Sequence, residues 1–459
     1  MKKYIAIIAL LVTTQLHAQY GYDKVYAANQ VSNTVSVIDP QTNRLLGELV
    51  LGKPQPDIFS ALYKGQALVH GLGYSAKRKL LAVVSIGSNA VTFISTQNDS
   101  IIKTLYIGRS PHEATFTPDG KQVWVTVRGE AYISVIDADK MVEIKRVAVA
   151  DGPGMVAFTP DGKSAYICSS FTAELDVVNT ATYKIVKRIP VVSPFSPNIF
   201  CSYDGRWMAM THKDIGKTTL IDTKTMKVYK VLNTGAISNH VTFTNTKNPL
   251  MLVTVGGENK VRVYDVNKDF IQIDSIATGS LPHGIWTSAD GKFAYVGLEN
   301  DDKVNAIDID KRKIVATIPI GNAPQALLYA TNSTTDLTNK AGKLTPFNDN
   351  RTQVIKMKAS DKSMASGVIV ARNIGLDDLL QINLKNLQPN EAYSLALTKS
   401  ADALIKDVQI LTEFNADAKG LYNGQSTGVI KTLDNMATAE YHHLVLYKKA
   451  NEKVMLINE

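Results

Sequence analysis

Between residues 25 and 330 the apolar positions fall into short β-branched runs, each closed by a polar residue. Seven such runs recur: Val35-Ser-Val-Ile-Asp39, Val91-Thr-Phe-Ile-Ser95, Ile133-Ser-Val-Ile-Asp137, Leu175-Asp-Val-Val-Asn179, Thr218-Thr-Leu-Ile-Asp222, Val261-Arg-Val-Tyr-Asp265 and Val304-Asn-Ala-Ile-Asp308. Their last residues are separated by 56, 42, 42, 43, 43 and 43 positions. A closing Asp, Asn or Ser suits a turn, because its side chain bonds the backbone just ahead of it. A second motif leads the units, as in Thr117-Pro-Asp-Gly120, Thr159-Pro-Asp-Gly162, Ser202-Tyr-Asp-Gly205 and Ser288-Ala-Asp-Gly291, and in each Gly supplies a positive φ. Another strand follows each turn, such as Val123-Trp-Val-Thr-Val127. No helical period of any length interrupts the region.

Each unit of about 42 residues therefore holds four short strands, the content of one propeller blade. Seven units predict seven blades. The chain enters on Val25-Tyr-Ala-Ala28, in the place of a second strand, and leaves on Gln325-Ala-Leu-Leu-Tyr329, in the place of a first. The two ends are expected to pair within one blade and close the ring, hiding its edges.

These motifs resemble the YVTN β-propeller repeat family. Val25-Tyr-Ala-Ala-Asn29 with Asn33-Thr-Val-Ser-Val-Ile-Asp39 is close to the repeat core, and Ser110-Pro-His-Glu113 leading to Thr117-Pro-Asp-Gly120 matches its connecting segment. The resemblance covers about two thirds of the chain and implies a fold, since propellers host many unrelated activities. A His after Pro is ordinary in that repeat, where it can bond a neighbouring blade.

The remaining segments read differently. Residues 1–18 carry Lys2 and Lys3, an apolar stretch from Ile5 to Val12, and Leu16-His17-Ala18, the pattern of a cleavable signal peptide. Export to the periplasm or beyond is the expectation, with the propeller at 19–330. Residues 331–350 are polar and read as a linker. Residues 351–459 show strand-like alternations at Val368–Val370, Leu380–Leu384, Tyr393–Leu397 and Leu444–Tyr447, read as a small C-terminal β-sandwich. The whole chain is thus expected to be all-β. His442 and His443 are adjacent, so on one strand they face opposite ways.

Composition narrows the function. The 459 residues are 45% hydrophobic and 20% charged, which suits a folded protein. Two cysteines exclude a disulfide framework or a cysteine-based metal site, and there is no CxxCH haem attachment. Cys168 and Cys201 fall in strand cores and read as free thiols. The formal charge of +8 is spread along the chain without a basic stripe, so nucleic acid is not an expected partner. No apolar stretch is long enough to span a membrane as a helix.

Counting back from each turn motif gives the start of the innermost strand: His70, His112, Gly154, Pro197, Asn239, His283 and Gln325. His240, Asn198 and Met155 lie one residue further on, and His212 lies near the end of a second strand. The histidines thus map to one face, most of them near the central channel. The long first interval places an insertion within Gly52 to Val69, including Tyr63, over that face. The candidate ligand-binding set is His70, His112, Asn198, His240, His283, Gln325, Arg128 and Tyr63. Neutral imidazoles at a channel mouth can bind copper, zinc or iron, with His70, His112 and His283 as the candidate ligands. Glu113, Glu130 and Glu258 are carboxylates able to join them. The repeated Asp39, Asp137, Asp222, Asp265 and Asp308 are turn caps.

The expected role is non-catalytic recognition of a small ligand or partner protein at the histidine-bearing face. The alternatives are a lactonase- or hydrolase-type enzyme, using His112 and His283 as bases or metal ligands, and a metal or redox-cofactor carrier.

Overall fold

The computed structural model describes residues 21–51, 67–337, 344–347, 352–373, 378–400, 408–428 and 443–458. The expected signal peptide, Tyr63 with most of the first insertion, and His442 lie outside these residues. Among the described residues no helix is long and apolar enough to cross a membrane. The chain divides into two compact units, the first running to residue 348 and the second carrying the C-terminal strands.

The first unit is a seven-bladed propeller, each blade a four-stranded antiparallel sheet. Blade 1 pairs Pro324–Thr334, innermost, with Tyr22–Asn29, Thr34–Asp39 and Arg44–Val50. The innermost strands of blades 2 to 7 are Val69–Ser75, Pro111–Phe116, Pro153–Phe158, Asn198–Cys201, Ser238–Phe243 and Pro282–Thr287. The two middle strands of a blade are packed on both faces, which is why they read as continuous apolar runs instead of alternations. Gln122–Val127 and Tyr132–Asp137, for instance, are buried almost throughout. The outermost strands are mostly exposed and carry charge, as with Lys145 and Arg146 in Val142–Ala148. Charged outer edges discourage pairing with another sheet.

Both sequence motifs form the turns expected of them. Asp137 accepts backbone bonds from Asp139 and Lys140 at 2.9 Å each, and Asp222 accepts from Lys224 and Thr225 at 2.9 and 3.2 Å. Gly120, Gly162, Gly205 and Gly291 have φ between 69° and 75°, where a Cβ is strained.

Ring closure follows the prediction, with Val25 opposite Tyr329 and Ala27 opposite Leu327. The closing strand, however, runs to Thr334, into what reads as linker. Its polar residues are held by the next blade: Thr96 Oγ1 donates to the Ser333 carbonyl at 2.7 Å, and Thr334 Oγ1 to that of Gln97 at 2.9 Å. Thr345 also pairs with Glu48, each backbone N–H donating to the other's carbonyl at 2.8 Å. Polar composition hid these segments because their partners are hydroxyls and backbone, not apolar surface.

The second unit is a single eight-stranded antiparallel sheet. Its strands run in the order Val408–Asn415, Ala392–Thr398, His443–Lys448, Val454–Asn458, Thr352–Ala359, Ser366–Asn373, Asp378–Lys385 and Tyr422–Gly428. One face forms an apolar core that includes Ile369, the alternating Leu380, Ile382 and Leu384, and Leu395 and Leu446. The sheet curls until its two edge strands approach, and Phe414 stacks on Tyr422 with ring centroids 3.6 Å apart. A nearly closed sheet and a sandwich share the same inside–outside alternation, so the sequence pattern fits both.

Candidate functional site

Position along the innermost strands decides which side chains reach the channel. In blades 2, 3, 4, 6 and 7 the pairing with the second strand skips: Pro111 pairs with Val127, and the next pair is Ala114 with Val125. The same step occurs after Val69, Pro153, Ser238 and Pro282. Two residues therefore face one, a β-bulge that re-aims consecutive side chains. His70 and Gly71, His112 and Glu113, Asn239 and His240, and His283 and Gly284 all occupy such bulges.

Threonines on the second strands hold these bulges. Thr126 Oγ1 accepts from the Glu113 backbone N–H at 3.0 Å and lies 2.9 Å from the Gly154 carbonyl of the next blade. Thr254 repeats the arrangement with the His240 N–H at 2.9 Å and the His283 carbonyl at 2.7 Å. Blade spacing at this level is tight. A Cβ on Gly71 would stand 2.3 Å from the His112 carbonyl oxygen, so only glycine fits there.

The result is a cluster of ionisable groups from several blades. His70 and His112 have ring centroids 4.2 Å apart, and His240 and His283 are 5.1 Å apart, edge to face. His283 Nδ1 lies 2.8 Å from Glu299 Oε2. His112 Nδ1 lies 2.8 Å from the Gly154 carbonyl, the inter-blade bond that the repeat resemblance implies. Glu113 Oε2 accepts from the Leu72 N–H at 3.2 Å, while its Oε1 has no hydrogen-bond partner among the described residues.

Burial sets the charge states. It holds His70, His112 and His240 well below the ordinary imidazole range, and each also feels cationic or imidazole neighbours across the channel. Those neighbours include Arg128 for His70 and His112, and Lys213 for His240. Among the described residues Glu113 has no Lys or Arg in ion-pair contact, and burial pushes it up to about 8. Glu299 stays anionic: the bond to His283 and the Lys213 charge overcome its burial and hold it at about 2.

Arg128, Lys213 and Glu299 occupy one register, each the first residue after a second strand (Gln122–Val127, Trp207–His212 and Phe293–Leu298). Arg128 belongs to the sequence-derived set, whereas Lys213 and Glu299 do not. Extending the repeat register by one residue past the second strand finds both. The Arg128 guanidinium lies 5.5 Å from the Phe171 ring and 5.8 Å from the Phe195 ring. Among the described residues neither Arg128 nor Lys213 has a carboxylate within ion-pair distance, and Arg128 Nε is buried without an acceptor.

Other expected residues have partners of their own. Asn198 joins blades, donating to Met155 Sδ at 3.2 Å and accepting from the Val241 N–H at 3.0 Å. Gln325 is buried and bonds Glu299 and the Ala323 carbonyl. Glu130 Oε1 accepts from the Arg109 N–H, and Glu258 pairs with Arg262 at 2.7 Å, so neither stands with the histidines. His212 is fully buried between Ser196 Oγ at 2.7 Å and Thr219 Oγ1 at 2.6 Å, a structural residue. Of the three candidate metal ligands, His70 and His112 come together with Glu113, all three donor atoms lying within 4.8 Å of one another. His283 is not in that group. Cys168 and Cys201 are free thiols, pushed up to about 12 by burial.

No family model matches the chain, and no curated protein matches it. Solved propeller structures do. A hydrazine synthase chain from Kuenenia stuttgartiensis aligns with a TM-score of 0.54 and 18% identity over 61% of this chain and 97% of its own. A functionally unknown protein from Desulfotomaculum acetoxidans gives 0.58 and 12% over 67% and 99%. The dihydro-haem d1 dehydrogenase NirN, in complex with DHE, gives 0.50 and 11% over 88% and 74%. At these identities the likeness is one of fold.

Proposed function

We propose that this chain is an exported, non-catalytic recognition protein of the YVTN-repeat type that binds a small anionic ligand at its channel face. One observation carries the reading: Arg128 and Lys213 approach from different blades, and Arg128 Nε is buried with no acceptor among the described residues. A cation drawn out of water without a partner is costly, and an anion offsets that cost. Guanidinium and ammonium together suit a carboxylate or phosphate group. Phe171 and Phe195 orient the guanidinium, and the neutral imidazoles add hydrogen-bonding capacity.

The alternative is a lactonase- or hydrolase-type enzyme: the Nδ1 contacts of His112 to Gly154 and of His283 to Glu299 leave each Nε2 available as a base. Hydrazine synthase and NirN do not choose a chemistry for this chain, because fold does not imply function.

Isothermal titration of the full chain with acetate, succinate and inorganic phosphate tests the proposal. At least one should bind, with affinity falling as salt rises and at least about tenfold lower in Arg128→Gln or Lys213→Gln, since a charge-assisted bond is worth roughly 1.5–3 kcal/mol. If none binds, or if both variants bind like the parent, anion recognition at this face is refuted.

A further inference from the structure

We infer that His70, His112 and Glu113 form a site for a divalent first-row transition-metal ion, held between the innermost strands of blades 2 and 3. The inference goes beyond anion recognition and does not depend on it. The three donor atoms lie within 4.8 Å of one another, and all three residues are buried. They come from two adjacent bulges: His70 from the first, His112 and Glu113 from consecutive positions of the second.

Two of the donors stand near each other without bonding. His70 Nδ1 stands 3.7 Å from Glu113 Oε1, too far for a hydrogen bond, and neither atom has another partner among the described residues. Leaving two buried polar atoms unsatisfied is unfavourable, because neither recovers the hydrogen bond it gave up to water. A cation bonded to both removes the penalty. Tetrahedral bonds of about 2.0–2.1 Å place donor atoms roughly 3.4 Å apart. The His70–Glu113 separation is already close to that.

The third donor is oriented by its outer contact. The Gly154 carbonyl can only accept, so the His112 proton sits on Nδ1 and Nε2 keeps its lone pair. Glu113 Oε2 is likewise fixed by the Leu72 N–H, which leaves Oε1 as the donor. Imidazole N–H to carbonyl and carboxylate to backbone N–H are the contacts that orient metal ligands elsewhere. The strand-held bulges and the close pass at Gly71 make these positions rigid, as a preorganised site requires.

Two imidazoles and one carboxylate suit zinc, copper or iron and do not suit calcium or magnesium, which take oxygen ligands. Three protein donors leave one position open. His283 is not a ligand in this arrangement, because it lies outside the group whose donor atoms come within 4.8 Å of one another.

The test is titration of the EDTA-stripped, dialysed full chain with Zn²⁺ by calorimetry and with Co²⁺ by visible absorption. One equivalent per chain is expected, with the intense visible bands of a low-symmetry cobalt site. Affinity should fall at least about 100-fold in His112→Ala and in Glu113→Gln, since even outer contacts of a metal site are worth 10–100-fold. His283→Ala should lower it less than about tenfold, the lower end of that range. Glu113→Gln keeps an acceptor for the Leu72 N–H, so it decides the matter if His112→Ala fails to fold. Arg128→Gln should weaken phosphate binding while zinc remains at one per chain, which separates failure of this site from failure of anion recognition. Absence of binding by the parent, binding unchanged in Glu113→Gln, or equal loss in His283→Ala overturns the assignment.

Discussion

His212 offers a sharp test of how burial divides the histidines. It is fully buried, clasped by Ser196 and Thr219, and burial pulls it from the ordinary 6.5 down to about 4. Each pKa unit corresponds to about 1.4 kcal/mol. Between pH 6.5 and 4 the unfolded chain takes a proton here that the folded chain refuses, so stability present above pH 6.5 is lost as pH falls. The drop amounts to about 3 kcal/mol. His212→Gln removes the titrating group while keeping a donor and an acceptor. At pH 7 the variant should be less stable by about 1–3 kcal/mol through poorer hydrogen bonds. By about pH 4 the parent should have lost about 3 kcal/mol relative to the variant, cancelling or reversing that advantage, equivalent to about 5 °C in melting temperature for a unit of roughly 300 residues. Paired urea and calorimetric melts at the two pH values measure it, and the other histidines cancel in the difference. A destabilisation equal at neutral and acid pH would refute the reasoning.

The remaining predictions concern the scaffold. Lys24 is buried and bonds Asp99 at 2.6 Å, while Tyr26 bonds the other carboxylate oxygen at 3.0 Å. Asp99→Ala should cost about 3–5 kcal/mol in urea unfolding by stranding a buried ammonium, and a loss under about 1 kcal/mol would contradict that role. Cys168 and Cys201, with thiols pushed up to about 12, should resist a thiol reagent at about pH 8 in the folded protein and react fully in denaturant. Rapid labelling of Cys168 in the native state would contradict the burial argument. Gly162→Ala meets no atom closer than 3.5 Å and should cost about 1–2 kcal/mol for its positive φ alone. Gly205→Ala also meets Pro160 Cδ at 2.8 Å and should cost more; the reverse order of melting temperatures would count against the steric reading.

Local patterning was enough to specify the number of blades, the turn chemistry and the closure of the ring. Each of these rests on short-range periodicity: an Asp bonds the backbone two or three residues on, a Gly takes a positive φ, and an apolar run marks a buried strand. The same patterning placed His70, His112 and His283 at equivalent positions, because a repeat register is a geometric coordinate. The folded ring was needed to show that Glu113, not His283, stands with His70 and His112. That follows from bulges, which break strict alternation and let consecutive residues serve one site. Lys213 and Glu299 share the register of Arg128, one position beyond a second-strand end, and that register had to be carried to blades 5 and 7 to find them. His212 and Asn198 were legible as polar residues near that face, but what their side chains bond depends on neighbours brought in by the packing of strands and blades. The curled C-terminal sheet was illegible for a related reason: inside–outside alternation says which face is buried and nothing about which edges meet.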